Sequence, residues 1–311
     1  MCVLFRCMGR FFRALLVLAA ASRAYALEFP LSADSQVVDE DQVIVAKYED
    51  TFVKIARTYG LGFNELVQAN PDVSPWLPGE GTEIVLPTRF VLPQALRTGI
   101  VINLPELRLY YYPAGESGRV ITHPISIGRQ EWRTPLGSTR VSRKAENPTW
   151  YPPQSIRDER ASQNRPLEAI VPPGPDNPLG NHALYLALPG YLIHGTNMPA
   201  GLGMRVTHGC IRMFPEDIES LYEDIPIGTS VRIVNQPVKL GRNGASFYLE
   251  AHPFLEEELH NDEMSIMTAL TRAYVAAVGE GEGAGFDWET AERVVLGFSG
   301  VPELVSSVSP L

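Results

Sequence analysis

Sulfur is scarce in this chain: three cysteines in 311 residues, two of them in the first ten. From Ala26 onward Cys210 stands alone, so the body of the protein has no internal disulfide framework to hold it. Long apolar runs are missing too. The best, Ala14 to Ala21, is far shorter than the roughly 20 residues a helix needs to cross a bilayer. Acidic side chains are absent from the first 26 positions, which hold four arginines. Basic residues, then an apolar run, then Ala24-Tyr25-Ala26 with its small-x-small form, make residues 1–26 a cleavable export signal, with cleavage expected after Ala26. No cysteine follows the run to take a lipid, and no transmembrane segment is expected once the signal is gone. A lone thiol in an oxidising compartment is a buried inert side chain, an intermolecular bridge or a reactive nucleophile.

Loss of the signal takes the formal net charge from −10 to −14. The deficit of positive charge is uneven: residues 27–96 carry 4 basic and 11 acidic side chains, 97–243 carry 16 and 13, and 244–311 carry 2 and 12. An acidic exported protein is a poor match for nucleic acid, and none is expected as a partner. The mildly basic middle suits a site for carboxylate-bearing ligands.

What is present begins with a small module. Val43 to Ala46 reads as a strand, and Asp50 and Thr51 offer N-caps to a helix over Phe52–Tyr59, whose Phe52, Ile55, Ala56 and Tyr59 share one face. A second helix over Phe63–Ala69 stops before Pro71, and Ile84 to Leu86 closes the unit. Through Y-E-D-T-F-x-x-I-A-x-x-Y-G, E-L-V-Q-A-N-P and L-P-G-E-G-T-E-I-V-L-P, residues 41–88 resemble a lysin-motif (LysM) module. The resemblance implies a βααβ domain that binds peptidoglycan glycan strands. Glu49 stands where that family usually has glycine.

From Thr98 the pattern changes to short strands: Ile100–Asn103 and Leu107–Tyr112 around a Leu104-Pro105-Glu106 turn, then Val120–Ile127, Thr139–Ser142, Ala183–Leu188, Tyr191–His194 and Ser230–Val234. One helix, Pro215–Tyr222, interrupts them. Such a series predicts a mainly β, sandwich- or barrel-like domain over 97–236, in an α+β multidomain chain. Asn147 to Asn181, rich in proline and arginine, reads as a long irregular lid or binding wall.

The chemistry concentrates in Tyr191–Met213, which holds Cys210 together with His194 and His208. Two residues apart on an extended chain, His208 and Cys210 would face the same way, with Gly209 allowing a ligand close to the backbone. An imidazole near a thiol favours the thiolate. A zinc site has suitable ligand types here, but the spacing matches no common finger or ribbon, so neither metal nor cofactor is expected.

H-G-T-N followed by R-V-T-H-G-C-I-R-M resembles the catalytic signature of the L,D-transpeptidases with a YkuD-like domain, supported by S-I-G-R-Q-E-W-R-T-P-L-G, P-T-W-Y-P-P and N-P-L-G-N-H-A-L-Y-L in the same order. Thr207 stands where serine is more frequent. The resemblance implies Cys210 as nucleophile, His194 as base, and Gly195 or Thr207 as the group that orients them. His208 would support the pocket, and backbone N–H groups at Gly209 and Cys210 would hold the oxyanion. Arg212, Asn197, Thr196, Trp150 and Tyr151 would contact substrate, Arg212 through a carboxylate unless it is paired with Asp217. It also implies peptidoglycan tetrapeptide stems as donor, an amine on another stem or on an outer-membrane lipoprotein as acceptor, and a cell-wall-associated place in a Gram-negative periplasm. Hydrolysis of the same acyl-enzyme, giving a carboxypeptidase, and an inactive wall-binding adaptor are the alternatives. The remainder, 244–311, is expected to be an acidic helical appendix, with helices over Met264–Val278 and Trp288–Leu296 around a Gly279–Gly285 joint.

Overall fold

The computed structural model describes residues 26–32, 35–115, 118–258, 265–278 and 285–306. The export signal, the helix start at Met264 and the glycine joint up to residue 284 lie outside the described residues. The chain opens with β1 (Leu27–Pro30), β2 (Val37–Val38), β3 (Gln42–Val45), α1 (Phe52–Thr58), α2 (Phe63–Ala69), β4 (Glu83–Leu86) and β5 (Phe90–Val91). The middle comprises β6 (Gly99–Asn103), β7 (Arg108–Tyr112), β8 (Arg119–Pro124), β9 (Ile127–Gly128), β10 (Gly137–Glu146), α3 (Gln154–Ser162), β11 (His182–Leu186), β12 (Leu192–His194), β13 (Arg205–Thr207), β14 (Ile211–Arg212), α4 (Pro215–Asp224) and β15 (Ser230–Val234). It ends with β16 (Val238–Asn243), β17 (Ser246–Ala251), α5 (Ile266–Val278), α6 (Trp288–Gly297) and β18 (Glu303–Leu304). No described helix is long and apolar enough to cross a membrane.

A curled nine-stranded sheet, in the order β1-β8-β7-β6-β15-β10-β11-β12-β14, is the frame, and six α-helices accompany it among the described residues. The chain is mainly β in the middle and α+β overall, as expected. Strand β7 is buried along its whole length because both faces of the sheet are covered. Its Leu109 and Tyr111 join Ile100, Ile102, Ile193, Ile211 and α4 in the central core. Its Tyr110 and Tyr112 point the other way, into a second core shared with Phe52, Ile55 and Leu66 of α1 and α2.

Thr51 caps α1 by accepting from Lys54 N–H at 3.3 Å. The first N–H groups of α2 have no capping side chain of their own, since Gly62 precedes it. Phe63 and Asn64 instead donate to the Leu202 and Gly203 carbonyls at 3.2 and 3.3 Å, from the segment that leads into β13. Side chains are excluded there, because a Cβ on Gly203, at φ +81°, would lie 2.4 Å from Phe63 N.

The β3-α1-α2-β4 order follows the sequence closely. Elsewhere three expectations need correction. Val120–Ile127 is not one strand: β8 ends at Pro124, and Ser126 then exchanges backbone hydrogen bonds with Arg212. Asn147–Asn181 is not wholly irregular, since it contains α3, a polar helix with only Ile156 buried and hence no apolar stripe to announce it. Residues beyond 244 are not purely helical: β17 and β18 join the preceding β16 in a sheet on which Leu270, Val294 and Val295 of α5 and α6 pack. In that unit Asp287 caps α6, accepting from Thr290 N–H at 3.0 Å.

Buried charge joins these parts. Arg108 on β7 makes two 2.7 Å hydrogen bonds to Glu65 of α2, donates to the Gly60 carbonyl at 3.2 Å, and lies over the Phe90 ring. The Lys239 ammonium of β16 pairs with Glu106 at 2.5 Å and Glu250 at 2.8 Å and donates to the Val91 carbonyl at 2.7 Å.

Candidate active site

Strand β12 delivers His194 to the end of the sheet, and its parallel neighbour β14 sets Arg212 opposite it in register. Cys210 sits one residue before β14. The stretch from His208 to Cys210 is not an extended strand as expected, but a bend with Gly209 at φ +101°. Glycine is required there: a Cβ would meet the Tyr191 ring at 3.0 Å, and the backbone conformation suits no other residue well. The same-face argument for His208 and Cys210 therefore fails, although the bend still brings both to one cavity.

That cavity, of about 520 Å³, is lined by Cys210, His194, His208, Thr207, Arg212 and Asn197, and by Trp150 and Tyr151 from the long connection. Gly195, Gly209 and Thr196 are not among the residues that line it. Thr196 is buried and its hydroxyl accepts from Met198 N–H at 2.9 Å, so its side chain shapes the turn instead of facing a ligand. Asn197 donates to the Pro175 carbonyl at 3.1 Å and ties that turn to the long connection.

His194 is buried, and the Gly195 carbonyl accepts its Nδ1–H at 2.7 Å, which fixes the ring and its tautomer. Burial and then the nearby Arg212 guanidinium push its pKa down to about 3. Burial raises the Cys210 thiol, against the Leu192 backbone N–H and Arg212, which favour the thiolate. The resting pair is thus a neutral imidazole and a neutral thiol, not a preformed ion pair.

Thr207 has a different task from the one expected. Its hydroxyl donates to the Cys210 carbonyl at 2.6 Å and accepts from Gly209 N–H at 3.2 Å, so it braces the bend and not the base. Since Gly209 N–H is engaged, Cys210 N–H is the member of the expected oxyanion pair that has no hydrogen bond among the described residues. Arg212 makes no ion pair with Asp217, whose carboxylate lies 3.4 Å from the buried His123. Burial lowers the pKa of Arg212, and its Nε is sealed from water without a hydrogen-bond partner among the described residues, as suits a group awaiting an anion.

Several residues of the site were missed as individuals. Thr134 accepts from Gly128 N–H at 3.0 Å and donates to the Gly209 carbonyl at 2.8 Å, and a Cβ on Gly128 would strike the Trp132 carbonyl. The S-I-G-R-Q-E-W-R-T block is therefore the cradle of the bend. Asn177 is buried and reaches the Pro148 carbonyl at 2.8 Å, pinning the ends of the long connection together. Glu159 of α3 contacts His208 Nε2 at 3.0 Å and is also bonded to Arg129. No sequence signal marked it.

The zinc alternative needs three ligand atoms around one point. Among the described residues Glu106, Glu250 and His252 come that close, but not His194, His208 and Cys210, and Lys239 already occupies that cluster.

Residues 97–233 match the model of the YkuD family, described as the L,D-transpeptidase catalytic domain. The chain is 40% identical to the probable L,D-transpeptidase YcfS of Escherichia coli over 300 residues, covering 94% of this chain and 92% of that protein. It is 38% identical to the probable L,D-transpeptidase YbiS of the same species, over 94% and 96% of the two chains. Among solved structures, the catalytic domain of an Enterococcus faecium L,D-transpeptidase aligns over 46% of this chain and 100% of that one, with 21% identity and a TM-score of 0.35.

Proposed function

This chain belongs to the L,D-transpeptidases, and from that premise we propose that Cys210 attacks the diaminopimelyl carbonyl preceding D-Ala in a peptidoglycan tetrapeptide stem. The Sγ–C bond forms, the amide C–N bond breaks and D-Ala leaves as its amine, with a thioester left on Cys210. The acyl group then passes to an amine on a second stem or on a lipoprotein lysine. The observation that carries this reading is the lining of one cavity by the thiol, a buried imidazole and a guanidinium that pairs with no carboxylate among the described residues.

His194 takes the thiol proton at Nε2, because Nδ1–H is held by the Gly195 carbonyl. A depressed basicity makes the imidazolium short-lived, so the proton moves on readily to the departing amine. Cys210 N–H faces the charge that builds on the carbonyl oxygen. Arg212 supplies paired donors to a substrate carboxylate, and binding it raises the local negative charge beside His194, which makes the base stronger when substrate is present. Trp150 and Tyr151 form an aromatic wall along the stem.

Residues 41–88 serve as the LysM module that holds the glycan strand, 97–236 as the catalytic domain, and the chain from 244 as an accessory unit. The first 26 residues direct the protein to a Gram-negative periplasm. Incubation with purified tetrapeptide muropeptides tests the core of this reading: D-Ala release accompanied by a mass adduct on Cys210, both lost in Cys210→Ala. Release that persists in Cys210→Ala removes the thiol from the mechanism.

A further inference from the structure

His208 is held in a way the transfer chemistry above leaves unused. Its Nε2 lies 3.0 Å from Glu159 Oε2, and the Trp132 ring meets its imidazole edge-on at a centroid distance of 5.1 Å. Glu159 is fixed in turn by Arg129, whose Nη2 bonds Oε1 and comes within 3.3 Å of His208 Nε2. The ionised Glu159 carboxylate, held low in pKa by Arg129, has no proton to give, so Nε2–H is the hydrogen that its Oε2 accepts. The Nδ1 lone pair is then free of any protein partner among the described residues, on a ring that lines the same cavity as Cys210. An imidazole oriented through one nitrogen by a carboxylate, with the other nitrogen open, is the arrangement that lets a histidine accept a proton and stabilise the resulting imidazolium.

His194 cannot fill that role for an incoming molecule, since it is buried while His208 is partly exposed at the rim. We propose that Glu159 and His208 form a second dyad, which takes the proton of the acceptor amine in the transfer half-reaction. The inference rests on the thioester reading above. The amine nitrogen bonds to the thioester carbon, its proton passes to His208 Nδ1, the C–S bond breaks, and the Cys210 thiolate is reprotonated as His208 gives up its proton through solvent. Two half-reactions thus use two bases, a buried one for the donor and a rim one for the acceptor.

The charges facing His208 are Glu159 and Arg160 from α3 and Arg129 following β9, itself 3.6 Å from Glu131. Burial first, and the two arginines, hold its pKa down, whereas Glu159 pulls it up. Removing the carboxylate charge therefore moves the acid limb of the transfer step to lower pH.

The test is Glu159→Gln, which keeps an oxygen for Nε2–H but not the charge, beside Glu159→Asp, on the full chain with a tetrapeptide donor and meso-diaminopimelate as the amine. Thioester formation, read by mass and single-turnover D-Ala release, is expected within two-fold of wild type. Transfer is expected to fall on the order of 10- to 100-fold in Glu159→Gln, with its acid limb displaced downward, and to recover partly in Glu159→Asp. Unchanged transfer overturns the dyad, and so does an equal fall in both half-reactions, the signature of a structural clamp. Absence of a thioester in the wild type overturns the parent reading as well, whereas a normal thioester with normal transfer overturns the dyad alone.

Discussion

Replacing Glu65 with alanine removes the carboxylate that neutralises Arg108, a side chain with no exposed surface in the interface between the βααβ unit and the catalytic sheet. Two hydrogen bonds of 2.7 Å disappear, and Gly62 N–H loses its acceptor at 2.5 Å. The Gly60 carbonyl at 3.2 Å, the Thr122 hydroxyl at 3.3 Å and the Phe90 ring remain, but none carries formal negative charge. Breaking a buried ion pair from one side costs about 3–5 kcal/mol, because the surviving charge is neither paired nor hydrated. Against a typical stability of about 5–15 kcal/mol that loss is large, and with a urea dependence near ~3 kcal/mol/M it moves the unfolding midpoint by roughly 1–1.7 M. Urea titration followed by tryptophan fluorescence measures it. Replacing both partners, Glu65→Leu with Arg108→Met, is expected to regain most of the loss, since an apolar pair of similar volume pays no desolvation penalty. A Glu65→Ala shift corresponding to less than ~1 kcal/mol, or a double variant as unstable as the two single variants combined, would falsify the assignment of a dry interface.

Acidification should weaken the fold through His194. Its folded pKa, about 3, lies below the ~6.5 of an unfolded histidine, so between these values the unfolded chain binds the proton first. The stabilisation is complete above pH ~6.5 and is lost progressively toward pH 3, by an upper bound of about 5 kcal/mol for full burial. Melting temperatures from pH 7 to 4 should fall more steeply in the wild type than in His194→Gln, and parallel curves would rule this out. Free of substrate, Cys210 should react with iodoacetamide slowly at neutral pH and gain speed above the usual thiol pKa, because burial raises it; a rate already at its plateau by pH 6 would contradict the neutral resting pair. Arg212→Met should raise KM for tetrapeptide donor more than it lowers kcat, by about 10-fold or more if a charge-assisted contact is lost, and an unchanged KM would detach Arg212 from the substrate carboxylate. Lys239→Met leaves Glu106 and Glu250 buried together and should cost about 3–5 kcal/mol, readable as loss of the folded C-terminal unit in limited proteolysis.

Much of the architecture was written in local pattern. The i, i+3, i+4 spacing of Phe52, Ile55 and Ala56 gave α1, and the Pro71 boundary gave α2. The thiol and both histidines that the motif block singles out line one cavity. What local pattern could not show was contact across the chain. Glu159 and His208 are 49 positions apart, and α3 lacks the apolar stripe that would have placed it. The bend at Gly209 was misread as strand because a positive φ leaves no trace in alternation, and the role of Thr207 changed with it. Arg108 is a charged residue inside a strand buried on both faces, a position that only its partner on α2 makes tenable.

The backbone seam between α2 and the segment preceding β13 has a geometric consequence. Phe63 and Asn64 hang from the carbonyls of Leu202 and Gly203, and seven residues further on the same segment reaches Cys210. With Arg57 of α1 also forked onto Glu216 of α4 at 2.8 and 2.9 Å, the small domain is bolted to the catalytic one and is no trailing lure on a slack tether. If that domain grips a glycan strand, the thiol meets the strand at one offset and one angle. Which stem along a sugar chain is cut would then be a matter of measurement, with the protein as the gauge.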